Sequence, residues 1–459
     1  MQQHEIEALV QRQRAHFRTH ATLDVAARKA ALRRFYAAVQ AHEADIAAAL
    51  EADLGKSAAE GYTCETGLVL TEIRYQLKHV DRWSRARLVP TNLANSVATC
   101  RVVPVPYGVT LIMSPWNYPI LLTLEPLAGA IAAGNCCVVK PSAYSPATSQ
   151  VIAQICEESF PPGLVSVVQG GRAENEALLE QEWDYIFFTG SVGVGKLVMQ
   201  HAAAHLTPVS LELGGKSPCI VDATANLKMA AVRVAFGKFL NVGQTCVAPD
   251  YLLVDAQVKD EFLGLLQEQV RAMYGADAFA NPDYGRIVNG KHFQRVRGLI
   301  DADKVVYGGR VREETLQIEP TIMDGVTAED AVMGQEIFGP VLPVLTYATL
   351  DEAEEFVTSR PTPLALYIFS NDTATQRRFV RQVPFGGGCV NDTIVHLATP
   401  HMGFGGMGQS GMGSYHGKKS FETFSHEKSI MKKWLWPDLP LRYQPYAAWK
   451  SRVIRMFLH

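Results

Sequence analysis

Residues 206–249, LTPVSLELGGKSPCIVDATANLKMAAVRVAFGKFLNVGQTCVAP, form the stretch that best predicts both the fold and the site. Glu212 lies in a short apolar run that a glycine pair ends, and Cys246 follows Gly-Gln-Thr. Residues 227–240 between them favour a helix, because apolar side chains recur among good helix formers. A strand end and a loop can therefore bring a carboxylate and a thiol together, as covalent catalysis at a carbonyl carbon requires.

The same two residue types also have simpler interpretations. A single cysteine is usually a small buried hydrophobic residue. A single glutamate at a strand end is usually a cap or half of an ion pair. The spacing of Glu212 and Cys246 alone leaves both the catalytic and the structural interpretation open.

The composition is typical of a soluble globular chain with two or three domains. Of its 459 residues, 47% are hydrophobic and 19% are charged. A net charge of -3 argues against nucleic acid as a partner. The eight cysteines form no CxxC pair, so we expect free thiols in a reducing compartment. Because no apolar run is long enough for a signal peptide or a membrane span, we expect a cytoplasmic protein.

The pattern along the chain predicts an α/β fold. Two helices are predicted over residues 4–54 and a third over about 65–86. The prolines of residues 99–108 exclude a helix and favour an extended ribbon. From residue 109 to 205, short apolar strands alternate with helices, which indicates a parallel sheet covered on both faces.

A second α/β unit follows Glu212. Its predicted elements are strands near 219–221, 251–254, 341–347, 366–369 and 389–390, and helices near 227–240, 259–273 and 373–382. In the first unit, the helix at 121–133 contains Pro126, which we place in an early turn. A glycine cluster at 403–417 indicates a long ordered loop.

The segment TGSVGVGK at residues 189–196 joins a predicted strand to a predicted helix. Small residues there let backbone N–H groups at a helix N-terminus approach a phosphate, although a plain tight turn would use the same residues. Leu197 stands where a P-loop has the Ser or Thr that holds magnesium, which disfavours an ATPase or GTPase. The spacing also differs from the GxGxxG dinucleotide fingerprint.

Several motifs resemble those of the aldehyde dehydrogenase superfamily. SLELGGKSP and GQTCVAPDY are similar to its two active-site signatures, and the resemblance extends from about residue 26 to 428. It includes SPWNYP at 114–119, VVKPS at 138–142, FFTGSVGVGK at 187–196 and EIFGPVLP at 336–343. FGGMGQSGMGSYHGKKSFETFSH at 404–426 is similar to the class 3 branch, which includes fatty, aromatic and coniferyl-type aldehyde dehydrogenases.

The resemblance implies a Rossmann-type parallel-sheet cofactor domain, an α/β catalytic domain and a small β oligomerisation domain. The expected division is 1–81 and 107–213 for NAD(P) binding, 214–412 for catalysis, 82–106 and 413–433 for an oligomerisation arm, and 434–459 for a tail. Class 3 relatives are dimers. We expect a homodimer, because the ribbon at 99–108 also needs its edges covered.

The resemblance further implies NAD(P)-dependent oxidation of an aldehyde to a carboxylic acid. Cys246 would form a thiohemiacetal and then a thioester, Glu212 would activate water, and the Asn117 side chain with the Cys246 N–H would hold the oxyanion. The implied cofactor-binding residues are Ser114, Trp116, Lys140, Ser142, Gly190, Ser191, Val192, Gly193, Val194, Gly195, Glu336 and Phe338. Without the resemblance, Asn117 would be a turn residue and Glu336 an ordinary exposed acid.

The chain departs from its relatives at one position of the cofactor site. Many of them read KPSE, in which the glutamate bonds the ribose hydroxyls, whereas this chain has Ala143. Without that acid, Lys140 is free to pair with a 2′-phosphate. The choice between NAD and NADP therefore stays open.

Other residues carry weaker expectations. His396, His401, His416 and His426 lack HExxH spacing and an evident carboxylate partner, so we predict structural histidines and no metal. Candidate walls of the substrate pocket are Tyr62, Tyr118, Trp183 and His396.

The aromatic and basic tail at 434–459 could form a membrane-surface helix. Its prolines favour the alternative that it packs on a partner subunit or beside the substrate mouth.

Two other functional classes compete with the leading one. A CoA-acylating relative would use CoA in place of water, but such relatives typically lack the base at the Glu212 position. A catalytically silent nucleotide-binding scaffold is the third class, and the presence of Cys246, Glu212 and Asn117 argues against it.

Overall fold

The computed structural model of the chain describes residues 1–92, 95, 98–438 and 440–457. The α-helices are α1 (Gln3–Arg18), α2 (Val25–Ala41), α3 (Glu43–Leu54), α4 (Ala58–Gly61), α5 (Gly67–Trp83), α6 (Leu121–Ala133), α7 (Pro146–Ser159), α8 (Arg172–Leu179), α9 (Val192–His205), α10 (Leu227–Phe239), α11 (Lys259–Tyr274), α12 (Gly290–Arg297), α13 (Leu350–Thr358), α14 (Thr373–Gln382), α15 (Lys418–Thr423) and α16 (Ala448–Phe457).

The β-strands are β1 (Arg87–Val89), β2 (Ala98–Pro106), β3 (Val109–Met113), β4 (Cys136–Lys140), β5 (Val165–Val167), β6 (Tyr185–Gly190), β7 (Val209–Leu213), β8 (Pro218–Val221), β9 (Tyr251–Asp255), β10 (Val305–Tyr307), β11 (Val311–Arg312), β12 (Gln317–Ile318), β13 (Thr321–Met323), β14 (Val341–Tyr347), β15 (Ala365–Phe369), β16 (Gly387–Val390), β17 (Gly411–Met412) and β18 (Ser425–Lys433). The predicted α/β class is confirmed.

The first sheet has the order β17-β7-β6-β3-β4-β5, and all its pairs are parallel except β17 with β7. β3 and β4 are buried at every position, as expected for central strands covered on both faces. α6 is likewise buried along its whole length, and Gly134 ends it in the left-handed conformation. Gly411 and Met412, which the sequence division placed in the 214–412 unit, pair with β7 of this sheet.

The second sheet has the order β10-β13-β14-β9-β8-β15-β16 and is parallel except at β10. The prediction found β8, β9, β14, β15 and β16 but assigned no element between residues 273 and 341. The structure places α12 and β10–β13 there. These strands have two or three residues each, too few for a periodic pattern to form.

A third sheet joins β1, β2 and β18 in antiparallel order, with β18 at one edge. β2 covers most of the predicted ribbon at 99–108. β18 is exposed over most of its nine residues. Residues 93, 94, 96 and 97 of the expected arm, and residues 439, 458 and 459 of the expected tail, lie outside the described residues.

The prediction of two helices over residues 4–54 is wrong, because the structure has three. α2 ends at His42, whose ring contacts Asp45 at 2.7 Å and Glu158 at 3.1 Å. Pro126 lies in the second turn of α6, an early turn as predicted. The predicted third helix begins later than expected, at Gly67, because one π-turn over Tyr62–Thr66 precedes it.

The π-turn directs Glu65 into the core. One carboxyl oxygen of Glu65 accepts a hydrogen bond from Lys56 Nζ at 2.5 Å. The other accepts one at 2.9 Å from the backbone N–H of Ile120, which lies at the start of α6. Lys56 also donates to the backbone oxygen of Asn117 at 3.2 Å. Both side chains are almost fully buried, so this ion pair joins the N-terminal helices to the segment that carries Asn117.

We expect a double-mutant cycle of Lys56→Met and Glu65→Gln to show strong coupling. Each single substitution leaves a buried charge without its partner, which should cost about 3–5 kcal/mol of unfolding free energy. The double variant should lose clearly less than the sum of the two single variants. Urea unfolding of all four proteins measures this.

The matched control is the exposed pair Lys418–Glu422, four residues apart on α15, for which the coupling should be at most about 0.5 kcal/mol. Equal coupling in the two cycles would contradict the expected role of Lys56 and Glu65.

Candidate active site

The carboxyl ends of β3, β6 and β7 meet at one edge of the first sheet, where ligands bind in open α/β folds. β6 ends at Gly190 and α9 begins at Val192, so only Ser191 separates them. The predicted loop 189–196 is therefore shorter than expected, and most of it is the first turn of α9. Ser191 caps this helix by accepting the N–H of Val194.

The segment before Cys246 has an unusual backbone. Asn241, Val242 and Gly243 are all left-handed, with φ of 51°, 56° and 72°. Left-handed φ is strained for a β-branched residue such as Val242. A Cβ at position 243 would lie 2.3 Å from the backbone oxygen of Gly339, so only glycine fits there.

Amide hydrogen bonds hold this strained turn against Asn117. Asn117 Nδ2 donates to the backbone oxygen of Gln244 at 2.9 Å, and Asn241 Nδ2 donates to the backbone oxygen of Asn117 at 2.8 Å. Gln244 Oε1 accepts the N–H of Val288 at 3.0 Å. The bond to Gln244 uses one of the two Nδ2 hydrogens of Asn117, which leaves the other for a ligand.

Glu212 lies on β7 and is almost fully buried. Neither carboxyl oxygen has a hydrogen-bond partner among the described residues. Burial raises the pKa of Glu212 well above its usual value. A buried carboxyl without a partner is costly for the fold, and such groups are found most often at functional sites.

Cys246 follows the left-handed turn and is half-buried. Burial, with smaller contributions from the carboxyls of Glu336 and Glu212, raises the pKa of its thiol to about 12. The thiol of the unliganded chain is therefore protonated at neutral pH.

A polar cleft of about 380 Å³ brings most of the predicted residues together. Its walls include Trp116, Asn117, Gly190, Ser191, Val192, Gly193, Glu212, Cys246, Glu336 and Phe338. The rings of Trp116 and Phe338 lie 5.4 Å apart. The predicted residues come from segments next to both sheets, and the fold brings them together around this one cleft.

Other predicted cofactor residues do not line this cleft. Ser114 Oγ lies 2.6 Å from the Thr123 hydroxyl in the core. Lys140 is the last residue of β4, the strand beside β3, and Ser142 follows it; Lys140 Nζ donates to the backbone oxygen of Pro141 at 2.7 Å. Burial lowers the pKa of Lys140 to about 8.

Val194 and Gly195 also lie outside the cleft walls, in the first turn of α9. Val194 is exposed, and Gly195 packs against Leu213, whose side chain a Cβ at position 195 would meet at 2.6 Å. Gly195 therefore serves the packing of α9 on β7.

The prediction missed His292, Arg295 and Gln335, which also line the cleft. Arg295 donates to the backbone oxygens of Glu336 at 3.2 Å and Ile337 at 2.6 Å. The sequence gives little indication of a role for Arg295, because KHFQRVR after Asn289 has the pattern of an ordinary basic helix.

Glu336 lies against the end of β7. A Cβ at Gly214 would lie 2.1 Å from a Glu336 oxygen, so the glycine permits this approach. Glu336 Oε1 has no partner among the described residues, and burial raises the pKa of Glu336 to about 8. Asp250 accepts the N–H of Ile337 at 2.9 Å and so fixes the segment that carries Glu336.

A second cavity, of about 180 Å³, lies on another side of Cys246. Its walls are Thr63, Cys64, Leu68, Tyr118, Leu121, Leu122, Phe236, Leu240, Thr245, Cys246, Ile394, Val395, Leu397, Ala398, Phe404, Tyr415 and His416. Of the candidate wall residues of a substrate pocket, Tyr118 lines this cavity. Trp183 is wrong, because it is buried against the other end of the first sheet and donates to the backbone oxygen of Leu178.

The histidine predictions have mixed outcomes. His416 Nδ1 lies 3.1 Å from Glu125 Oε1, so the expectation that it lacks a carboxylate partner is wrong. Tyr62 and His396 do not line the second cavity. Across the described part of the chain, no group of three or more His, Cys, Asp or Glu side chains is arranged to hold a metal ion.

Comparison with known proteins decides the family. The model of the aldehyde dehydrogenase family matches residues 1–430. The chain belongs to the aldehyde dehydrogenase family. It is therefore an oxidoreductase that acts on aldehydes.

Relatives within the aldehyde dehydrogenase family support the predicted branch. Aldehyde dehydrogenase family 3 member A2 of Rattus norvegicus is 42% identical over 455 residues, covering 99% of this chain and 94% of the relative. The dimeric NADP-preferring aldehyde dehydrogenase of Canis lupus familiaris is 43% identical over 449 residues, covering 97% and 99%. The predicted similarity to class 3 is confirmed.

A solved aldehyde dehydrogenase structure, the substrate-bound state of Staphylococcus aureus AldH, has the same fold. Its TM-score is 0.97 at 45% sequence identity, and the match covers 99% of each chain.

The raised thiol pKa predicts slow alkylation of Cys246 in the unliganded aldehyde dehydrogenase. The thiolate is the reactive form, and burial disfavours it. The rate with iodoacetamide should therefore rise about tenfold per pH unit from pH 7 to 9 without a plateau.

Peptide mass spectrometry follows the labelling of Cys246, and Cys246→Ala is the control that removes the signal. A plateau below pH 9 would show that the thiol ionises more easily than its burial implies.

Proposed function

We propose that this chain oxidises aldehydes to carboxylic acids with NAD or NADP, through a covalent intermediate on Cys246. One observation carries the proposal: Cys246 lines both the polar cleft and the apolar cavity. A thiol between two such spaces can contact an aldehyde on one side and a cofactor on the other.

The residues of the polar cleft fit a nicotinamide dinucleotide. Gly193 has open space where a Cβ would be, beside N–H groups in the first turn of α9 that can approach a phosphate. The free Oε1 of Glu336 can accept a ribose hydroxyl. Trp116 and Phe338 offer an aromatic wall. When bound, the cofactor supplies the hydride acceptor.

In the first step the Cys246 thiol gives its proton to water, and the sulfur attacks the aldehyde carbon to form a thiohemiacetal. Its oxyanion needs donors, and the second hydrogen of Asn117 Nδ2 and the backbone N–H of Cys246 are suited to this role. Removing one such donor typically costs about 3–4 kcal/mol of transition-state stabilisation. Loss of hydride from the same carbon then leaves a thioester on Cys246.

Glu212 is the general base for hydrolysis of the thioester. Its carboxyl has no other hydrogen bond to break, and the cleft that contains it also contains Cys246. Because its pKa is raised, the carboxyl must lose its proton before it can activate water, and once ionised it is a stronger base than an exposed glutamate. Its presence favours water over CoA as the acyl acceptor.

Glu212→Gln should block hydrolysis more than hydride loss. Rapid mixing should show a burst of reduced cofactor at 340 nm followed by little turnover. In the wild type, the turnover rate should rise with pH as Glu212 deprotonates, and this dependence should disappear in the variant.

Cys246→Ala, which should bind cofactor without any burst, is the control, and assays with and without CoA separate the acylating class. Normal steady-state turnover of Glu212→Gln would assign the base to another residue.

The apolar cavity supports an aldehyde with a hydrocarbon chain or ring. Leu68, Leu121, Phe236 and Leu240 are among its walls. Among its polar groups, the hydroxyls of Tyr118 and Thr245 lie 2.7 Å apart and bond each other. Burial of apolar surface then supplies most of the binding energy.

The residues around Lys140 support acceptance of either cofactor. Ala143 is exposed and brings no acid to this edge of the sheet. Glu174, at the start of α8, is the acid whose charge acts on Lys140, but it is held by the N–H of Gly171 at 2.7 Å and by the α-amino group of Met1 at 3.1 Å. The dog relative is described as NADP-preferring.

Both NAD and NADP should be accepted, with NADP used at least comparably well. Ala143→Glu should penalise NADP, because a like charge beside a 2′-phosphate costs up to a few kcal/mol, with about tenfold in affinity for each 1.4 kcal/mol. The measurement is kcat/KM for each cofactor in both proteins.

Ala143→Gln, which adds the same volume without charge, is the matched control. A wild type that strongly prefers NAD, or an unchanged ratio in Ala143→Glu, would show that position 143 does not govern the choice.

The exposed edge at β18 supports a homodimer, since β18 pairs with β2 on one side only and a free strand edge of this length is normally covered. The tail is also exposed, and Leu435 and Trp436 are 97% and 82% accessible. We propose that it packs on the partner or beside the substrate mouth, with weak contact to a membrane surface as the alternative. No helix in the described ranges is both long and apolar enough to cross a membrane.

The eight free cysteines support a reducing compartment such as the cytoplasm. The division into a cofactor-binding unit, a catalytic unit and an arm is a proposal that the three larger sheets support, apart from Gly411 and Met412, which pair with β7 of the first sheet.

A further inference from the structure

His416 is a buried polar residue on the wall of the apolar cavity. It is 5% exposed, and its backbone is left-handed with φ of 78°, an uncommon conformation for a residue other than glycine. Its ring lies 4.2 Å from the Tyr415 ring and 5.5 Å from the Phe404 ring, and all three residues line the cavity. A strained backbone that directs a polar ring into an apolar wall is evidence for a specific role.

A buried acid holds the ring in place. His416 Nδ1 lies 3.1 Å from Glu125 Oε1, on the fully buried helix α6. The next residue, Gly417, donates its N–H to Glu72 at 3.0 Å, and Glu72 in turn accepts Gln76 Nε2 at 2.6 Å. Two acids on two helices therefore fix residues 416 and 417.

The other ring nitrogen has no partner. His416 Nε2 makes no hydrogen bond to any residue that the structure describes, although it is buried. The hydroxyls of Tyr118 and Thr245 on the same wall bond each other. A buried nitrogen of this kind costs about 1–3 kcal/mol unless a ligand or a water satisfies it.

Burial also bears on which nitrogen of the His416 ring carries the hydrogen. It raises the pKa of Glu125 well above its usual value and lowers that of His416 to about 3, so burial disfavours the charged form of both groups. With Glu125 Oε1 3.1 Å from Nδ1, a proton on this carboxyl faces Nδ1, and the neutral ring then carries its hydrogen on Nε2. His416 therefore offers an N–H donor.

We propose that His416 donates a hydrogen bond to an oxygen on the chain or ring of the aldehyde, so that the cavity selects aldehydes that carry such an acceptor. Glu125 is the positioning residue that sets the tautomer and direction of this donor. The inference rests on the proposed binding of the aldehyde in the apolar cavity. It adds one polar requirement to an otherwise apolar pocket.

The test compares n-alkanals with oxa-analogues in which one CH₂ group is replaced by an ether oxygen at successive positions. An ether accepts a hydrogen bond but cannot donate one, so it reports a donor on the protein. In the wild type, the ratio of kcat/KM for analogue over alkanal should peak at one position. His416→Phe should lower that peak between about twofold and tenfold, as expected for one net hydrogen bond.

Two further variants address the role of Glu125. Glu125→Leu removes the partner of Nδ1 and should also flatten the peak. Glu125→Gln can still donate to Nδ1 and should restore it, which a merely structural role of Glu125 would not predict. His396→Phe is the matched control, because its Nε2 is equally unpartnered but its ring does not line the cavity.

Two results would overturn the inference: a wild type whose ratio of kcat/KM for analogue over alkanal has no peak, or a peak that His416→Phe leaves unchanged. In either case Nε2 would meet only water. If His416→Phe does not fold, His416→Asn replaces it, because asparagine tolerates the left-handed backbone. A wild type that oxidises none of the alkanals contradicts the proposed function itself. Oxidation of the alkanals with flat ratios contradicts only the role of His416.

Discussion

The site depends on the amide network that holds the left-handed turn before Cys246. Asn241 and Val242 adopt a backbone that a free peptide rarely populates, and the conformation persists because Asn117 and Gln244 hold it from both sides. Asn117 comes from the segment after β3, whereas Gln244 precedes β9, so the same bonds join the two sheets. Lys56 extends the network to the N-terminal helices through the backbone oxygen of Asn117. The position of Cys246 is thus fixed by contacts from three separate parts of the chain.

Three carboxyls around this turn are buried at an evident cost to stability. Glu212 and Glu336 have oxygens without partners, and Glu125 has one as well. Each is costly unless a ligand or a proton compensates, and burial raises the pKa of all three, which favours the protonated form. The surrounding apolar sheets supply the stability that these groups reduce. Such carboxyls are sensitive to what enters the cleft, because any new donor or charge changes their protonation.

The sequence predicted the parts of the site that lie in short, unusual motifs. Glu212 before Gly214 and Cys246 after Gly243 could be found because those glycines are required by close approaches, to Glu336 and to Gly339. Arg295 could not be found in this way, because it acts through backbone oxygens that no side-chain pattern reveals. The break between α2 and α3 could not be predicted either, because the apolar pattern continues across it. His42 lies at this break, and its ring contacts Asp45 and Glu158, which the sequence pattern does not show.

The pairing of Glu125 with His416 shows a more general limit. The two residues belong to an apolar helix and to a glycine-rich loop, and neither has a pattern that points to the other. Only the fold brings them together, and it does so at a backbone position that disfavours most residues. Ile394, another β-branched residue with positive φ, lies on the same cavity wall, and Phe338 with positive φ lies in the cleft. Strained positions therefore surround Cys246 on both sides. Since a packed core resists small deformations, it can hold these side chains in directions that local sequence preferences would not select.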